Sequence, residues 1–211
     1  MQTLHERKTD ISVIIPVYNL EHFLQPMLDS LQHQELGDYT AEIFFVLNNC
    51  TDNSEVVIRD SGIDCTILYC TKQGCGPARN TALDVASGDY IWFMDGDDWL
   101  LSNTAIKDAL DKAKAEDLNI LRIPFKSNGF YYNYFSMVWQ YLFRSDYIRE
   151  FRFPDYQPGE DDAFMAGVLT KYGTDRYNFL CLPCMGRPQY YYNYKRIGSN
   201  MYRFEELRER I

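Results

Sequence analysis

Short apolar runs in the first hundred residues each end in a polar turn and give way to helical periodicity, and no other feature narrows the accessible folds as far. The alternation is that of βα units wound on a mainly parallel sheet. Ile11–Ile15 reads as a buried strand stopped by Pro16, and Phe23, Leu24, Met27, Leu28 and Leu31 predict an amphipathic helix over about Glu21 to His33. A second strand, Glu42 to Leu47, enters the turn Asn48-Asn-Cys-Thr-Asp-Asn-Ser54, where Asn53 or Ser54 is placed to cap a short helix. A third strand lies near Cys65 to Tyr69. The loop Lys72–Gly76 then leads to Pro77 as a first helical residue, with the helix running to about Ser87 and ended by Gly88. The fourth strand, Tyr90–Met94, runs straight into Asp95-Gly-Asp-Asp98. Ser102 is placed to cap a helix bearing Ala105, Ile106, Ala109, Leu110 and Ala113, and strand-like residues recur from Asn119 to Phe125. Beyond that point the alternation fades into aromatic clusters: 130–135, Val138–Phe143 and Tyr190–Tyr194.

Composition excludes several classes. With 46% hydrophobic residues the chain has the material for a core, so disorder and low-complexity architectures do not fit. A formal charge of −9 gives phosphate backbones no electrostatic attraction, and no nucleic-acid partner is expected. No stretch approaches the ~20 apolar residues that span a bilayer. The opening Met1–Asp10 lacks the apolar segment of a signal peptide, so cytoplasmic residence is expected, compatible with peripheral attachment to a membrane. The six cysteines then read as reduced thiols. Cys181 and Cys184 have metal-ligand spacing but no second pair, and two strand or loop cysteines is the favoured reading.

The acidic turn carries the chemistry. Ligands of open α/β sheets bind outside the carboxyl ends of the strands, where Asp95, Asp97 and Asp98 fall. Carboxylates this close repel one another unless a cation or hydrogen-bond donors compensate. Oxygen ligands of this kind suit Mg²⁺ or Mn²⁺, which would bridge to a diphosphate. A solvated acidic turn capping the next helix fits the same residues.

The surroundings are more specific than the turn. Gly74-Cys-Gly-Pro-Ala-Arg-Asn-Thr-Ala82 precedes Ala86-Ser-Gly-Asp-Tyr-Ile-Trp-Phe-Met-Asp-Gly-Asp-Asp-Trp99, and the chain opens with Ser12-Val-Ile-Ile-Pro-Val-Tyr-Asn19. Trp139–Arg144, Phe153 and Gly159-Glu-Asp-Asp-Ala-Phe164 follow in order. From about Ile11 to Asn200 this succession resembles the family-2 glycosyltransferases of the GT-A fold. The resemblance implies an α/β domain with a mainly parallel central sheet flanked by helices, spanning 1–211. Its nucleotide-binding half covers about 11–100, its acceptor-binding half about 101–200, and a helical tail 201–211. It implies an inverting, metal-dependent transfer from a nucleoside-diphosphate sugar to a hydroxyl of a carbohydrate or lipid-linked glycan, in surface polysaccharide or glycan assembly.

Residue by residue, the resemblance assigns Pro16, Tyr18 and Asn19 to the base and ribose pocket, Arg79 to the nucleotide or to nearby carboxylates, and Asp95 to the ribose or donor sugar. Asp97 would hold the metal, with Asp98 in contact with donor or metal. Asp161 would be the general base, since a base must lie near the acceptor and a neighbouring carboxylate can raise a pKa. An acidic helix start favoured by the helix dipole accounts for Glu160–Asp162 equally well. Trp139 leads Trp99, Tyr132 and Tyr134 as a candidate for stacking on an acceptor sugar, with Glu160 nearby, although core packing suits most aromatics. Lys195 or Arg196 would meet the diphosphate on loop closure, or form a basic surface turn.

One departure concerns the end of the second strand. The family commonly has two acidic residues there, and this chain has Asn48 and Asn49. An amide offers donors and an acceptor and still pairs with a base, but UDP no longer follows as the donor nucleotide over dTDP or GDP. Two other readings share features with the chain: a nucleotide-sugar-binding domain without turnover, and a DxD-type phosphohydrolase. The hydrolase places its motif on an early strand, not a fourth. A sugar nucleotidylyltransferase requires a glycine-rich loop where Pro16-Val-Tyr-Asn19 stands.

Overall fold

The computed structural model describes residues 9–128, 136–156, 158–174 and 182–193. The elements run β1 (Ile11–Val17), α1 (Gln25–Gln32), β2 (Ala41–Asn48), α2 (Ser54–Asp60), β3 (Thr66–Cys70), α3 (Cys75–Leu83), β4 (Tyr90–Phe93), β5 (Trp99–Leu100), α4 (Ala105–Ala115), β6 (Ile120–Arg122), β7 (Phe125–Ser127), β8 (Tyr141–Arg144), α5 (Ser145–Ile148), α6 (Glu160–Tyr172) and β9 (Tyr190–Tyr192). Six strands form one sheet in the order β3-β2-β1-β4-β8-β6. The first four are mutually parallel, and β8 enters antiparallel between β4 and β6. A small sheet, β5-β9-β7, stands beside it.

β1 is buried along its whole length, as a central parallel strand covered on both faces must be. Its odd residues Ile11, Val13, Ile15 and Val17 join α1, α2 and α4 in one core. Ile14 points to the other face, where Ala78 and Ala82 of α3, Ile148 of α5 and Phe164, Met165, Val168 and Leu169 of α6 make a second. The expected mainly parallel sheet with helices on both sides is therefore what the chain forms.

Local boundaries differ from those expectations where partners outside the segment decide them. Pro16 does not stop β1 but pairs with Val46 inside it. The Ile14 carbonyl accepts from Met94, so the backbone of Pro16, two residues on, faces the same side, where β4 has already ended and no donor is required. α1 starts at Gln25 rather than Glu21, with Pro26 in its first turn. Asn53 stands at the N-cap of α2 as expected but makes no side-chain capping bond there; the Asp52 carboxylate accepts from the N–H and the hydroxyl of Ser54, at 3.0 and 2.6 Å. α3 begins at Cys75, leaving Pro77 third in the helix, where a missing N–H is harmless, and it ends at Leu83. Gly88 serves close approach rather than helix termination: a Cβ there would lie 2.5 Å from the Ser12 nitrogen. The hydroxyl of Ser102 accepts from the Thr104 N–H at 3.2 Å just ahead of α4.

Cys50, Cys65, Cys70, Cys75 and Cys184 are free thiols; Cys181, Tyr132, Tyr134, Lys195, Arg196 and the proposed 201–211 tail lie outside the described residues. No helix among the described residues is long and apolar enough to cross a membrane.

Candidate functional site

The strand order reverses between β1 and β4, the position where open α/β sheets leave a crevice at their carboxyl ends. Arg79 lies beneath that crevice. It projects from α3 with its side chain only 3% exposed, its Nη2 2.9 Å from Asp95 Oδ1 and its Nη1 2.6 Å from Asp161 Oδ1 and 3.8 Å from Glu160 Oε1. The guanidinium sits 5.3 Å over the ring of Phe153, which stacks on Phe164 with centroids 4.1 Å apart. The Asn80 side chain fixes this arrangement by exchanging two hydrogen bonds with the backbone of Phe153, at 2.8 and 3.0 Å. Gly76 permits the approach, since a Cβ there would fall 2.8 Å from the Pro154 carbonyl. One buried cation thus joins the end of β4 to the start of α6.

Three partly exposed carboxylates rise around that cation. Burial and the neighbouring Glu160 and Asp95 charges push Asp161 up from 3.8 to about 7, although Arg79 and a backbone bond from Val138 oppose the shift. The carboxylates hold Arg79 well above its ordinary value despite its burial. Asp161 therefore changes charge near neutral pH while fixed in place, the condition for proton exchange with a ligand. Its position in the first turn of α6, entered through Gly159 at φ 108°, comes from the Gly-Glu-Asp-Asp sequence.

The acidic turn divides its labour. Asp95 accepts from the Nη2 arm of Arg79, and Asp97 is half-buried beside it. Asp98, expected toward donor or metal, is fully buried and turned inward. It accepts from the Tyr190 hydroxyl and the Asn193 N–H, both at 2.7 Å, while the Tyr190 oxygen accepts from the Asp95 N–H at 3.0 Å. Burial, followed by the charges of Asp97 and Asp95, raises the Asp98 carboxyl well above its ordinary value. Tyr190, on β9 some ninety residues downstream, thereby shapes the turn; only the aromatic cluster around it was visible in the sequence.

At the end of β1, Tyr18 is 43% exposed and Asn19 adopts φ 51°. The Asn19 Oδ1 accepts from the Thr51 N–H at 2.8 Å, tying the loops after β1 and β2 together. Asn48, at the end of β2, is buried with its amide directed to the loop after β3. Pro16, Tyr18, Asn19, Asn48, Arg79, Asp95, Asp97, Glu160 and Asp161 accordingly border the same end of the sheet. Trp139 does not join them. It is 2% exposed and stacks against Tyr190 and Tyr192, with centroids 4.9 and 4.8 Å away, so the ring is spent on core packing. Trp99, half-buried, stacks on Tyr191 at 4.0 Å.

A sequence model described as Glycosyl transferase family 2 matches residues 12–173. The glycosyltransferase GlyA of Streptococcus pneumoniae is 41% identical over 93 residues, 43% of this chain and 13% of GlyA. The poly(ribitol-phosphate) beta-glucosyltransferase of Bacillus spizizenii is 33% identical over 102 residues, 46% of this chain and 16% of that protein. Among solved structures, residues 1–349 of S. aureus TarS in complex with UDP-GlcNAc superpose with a TM-score of 0.77 at 22% identity, covering 92% of this chain and 61% of that one. The mannosyltransferase PcManGT of Pyrobaculum calidifontis, in complex with GDP-Man and Mn²⁺, gives 0.69 at 16% identity, covering 95% and 61%. The fold is GT-A, and the chain spans less than two thirds of each of these relatives.

Proposed function

The chain belongs to glycosyl transferase family 2, and from that premise we propose that it moves a sugar from a nucleoside-diphosphate donor to a hydroxyl of a carbohydrate or lipid-linked glycan, with inversion. The observation that carries this reading is the buried Arg79 bridging Asp95 to Asp161 across the carboxyl ends of the sheet. That bridge holds a carboxyl of pKa about 7 at the crevice, where an acceptor hydroxyl can surrender its proton as its oxygen attacks the anomeric carbon. Arg79 positions this base and balances the surrounding charge. The exposed Tyr18 ring offers a face to the nucleoside, and the turn at Asn19 shapes the same pocket.

The residues present fit a divalent cation shared with the ligand. Asp97 is half-buried in the turn after β4, beside Asp95, at the carboxyl end of the sheet. Mg²⁺ and Mn²⁺ commonly take one or two carboxylates and complete their shell with substrate phosphate and water. Asp97 would hold such an ion, which when bound neutralises charge on the departing diphosphate. The names of relatives, a minor teichoic acid biosynthesis protein and poly(ribitol-phosphate) transferases among them, support a place in surface-polymer assembly.

Transfer is tested by incubating the protein with UDP-, GDP- and dTDP-sugars and Mn²⁺, following release of nucleoside diphosphate and the anomeric configuration of the product by NMR. One donor class is expected to turn over, with inverted configuration and with loss of turnover in EDTA. Tight nucleotide binding without turnover on any acceptor would favour the binding-domain reading, and a retained configuration would contradict Asp161 as base.

A further inference from the structure

Two adjacent asparagines at the end of β2 grip every residue of the loop that follows β3. Asn48 Nδ2 donates to the carbonyls of Cys70 at 3.0 Å and Lys72 at 2.7 Å, and its Oδ1 accepts from the Gly74 N–H at 2.8 Å. Asn49 Nδ2 donates to the Thr71 carbonyl at 3.1 Å and to Gln73 Oε1 at 3.3 Å. Asn48 is 3% exposed, so its bonds replace water that is not there. Asn49 adopts φ 55°, a left-handed conformation that asparagine tolerates better than most residues, and this lets two consecutive side chains reach one loop.

The arrangement requires amides. A carboxylate accepts but cannot donate, and at either position it would set an oxygen against the backbone carbonyls now being bonded. The gripped loop in turn fixes the start of α3. Gly74, the last residue held, has φ 126° and precedes the helix that carries Arg79. On its far side the loop meets the segment before α6, through the ion pair of Lys72 with Asp155.

We propose that Asn48 and Asn49 are positioning residues that hold the 70–74 loop as one wall of the donor site, and that neither side chain reads the base. The inference rests on the donor site proposed above. It differs from the expectation that Asn48 pairs with a base in place of a carboxylate. A base reader turned back to aspartate would change the ranking of nucleotides. A clamp turned to aspartate weakens them all alike, because the loop and not the base loses its partner.

The test compares wild type with Asn48→Asp, Asn49→Asp and the double variant. Dissociation constants are measured for UDP, GDP and dTDP with Mn²⁺, KM and kcat for the donor turned over, and amide exchange at Gly74. Each single variant is expected to weaken every nucleotide that wild type binds by a common factor of about tenfold, the scale of one lost hydrogen bond. Donor KM should rise by the same factor with a smaller change in kcat, and Gly74 exchange should quicken. Tighter binding of one base, or a reordered ranking, overturns the proposal in favour of base reading. Unchanged binding overturns it outright. Asn49 is exposed, so its variant preserves the test should Asn48→Asp not fold. Absence of binding by wild type would defeat the donor site and this inference together, whereas binding by wild type with unaltered variants defeats the inference alone.

Discussion

Asp161→Asn is expected to lower kcat by about 10²–10⁴-fold, the usual contribution of a positioned general base, while nucleotide affinity changes little. Asparagine keeps the shape and one hydrogen bond to Arg79 but cannot take a proton. In the wild type the base must be unprotonated to act, so activity should rise with pH through about 7 and level off above it. The effect on stability has the opposite sense. Folding raises the Asp161 pKa from 3.8 to about 7, so the folded state favours the protonated acid. That contribution is fully present below the unfolded value and is lost as pH rises through the folded one. At pH 8 wild type therefore carries an ionised carboxylate in an unfavourable place, and Asp161→Asn relieves it. The variant is expected to melt at a higher temperature than wild type at pH 8 and to lose that advantage toward pH 5. Kinetics paired with thermal unfolding at both pH values checks the two halves together.

The largest loss of stability is expected from Arg79→Met. Methionine keeps an unbranched apolar stem, shorter than the arginine, but removes the cation buried among Asp95, Glu160 and Asp161, whose side chains are 29%, 13% and 24% exposed. Breaking a buried pair from one side typically costs about 3–5 kcal/mol, because the remaining charge is left uncompensated. With the guanidinium gone, Asp161 loses the charge that opposes its upward shift and should bind its proton at higher pH than in wild type. The deficit should thus shrink on acidification. Urea denaturation at pH 8 and pH 5 measures it, and a deficit that is small, or independent of pH, would show that Arg79 contributes packing rather than charge balance.

Much of this arrangement was legible because it rests on local pattern. Strands fully covered on both faces produce unbroken apolar runs, so Tyr90–Met94 announced a buried strand, and the acidic turn after it fell at the carboxyl end of the sheet. The acidic start of α6 was equally visible. What escaped depends on partners far away in sequence. Nothing near Asp98 shows that Tyr190 and Asn193 will turn it inward. Trp139 carries no local sign that it will stack on Tyr190 and Tyr192, because a ring suited to stacking on a sugar is equally suited to stacking in a core. The consequence of Pro16 depends on how far β4 extends beside it, which β1 alone cannot reveal. The link from Arg79 to Asp161, 82 residues apart, likewise required the fold.

The central claim is that the Arg79-bridged crevice takes a nucleoside diphosphate together with a cation at Asp97. Isothermal titration of UDP, GDP and dTDP into wild type and Asp97→Ala, each with and without Mn²⁺, tests it most directly. At least one nucleotide is expected to bind wild type with an affinity that tightens markedly with Mn²⁺, and a folded Asp97→Ala variant is expected to lose that metal-dependent increment. A folded wild type that binds none of the three, or an Asp97→Ala variant that keeps the full Mn²⁺ increment, would contradict it.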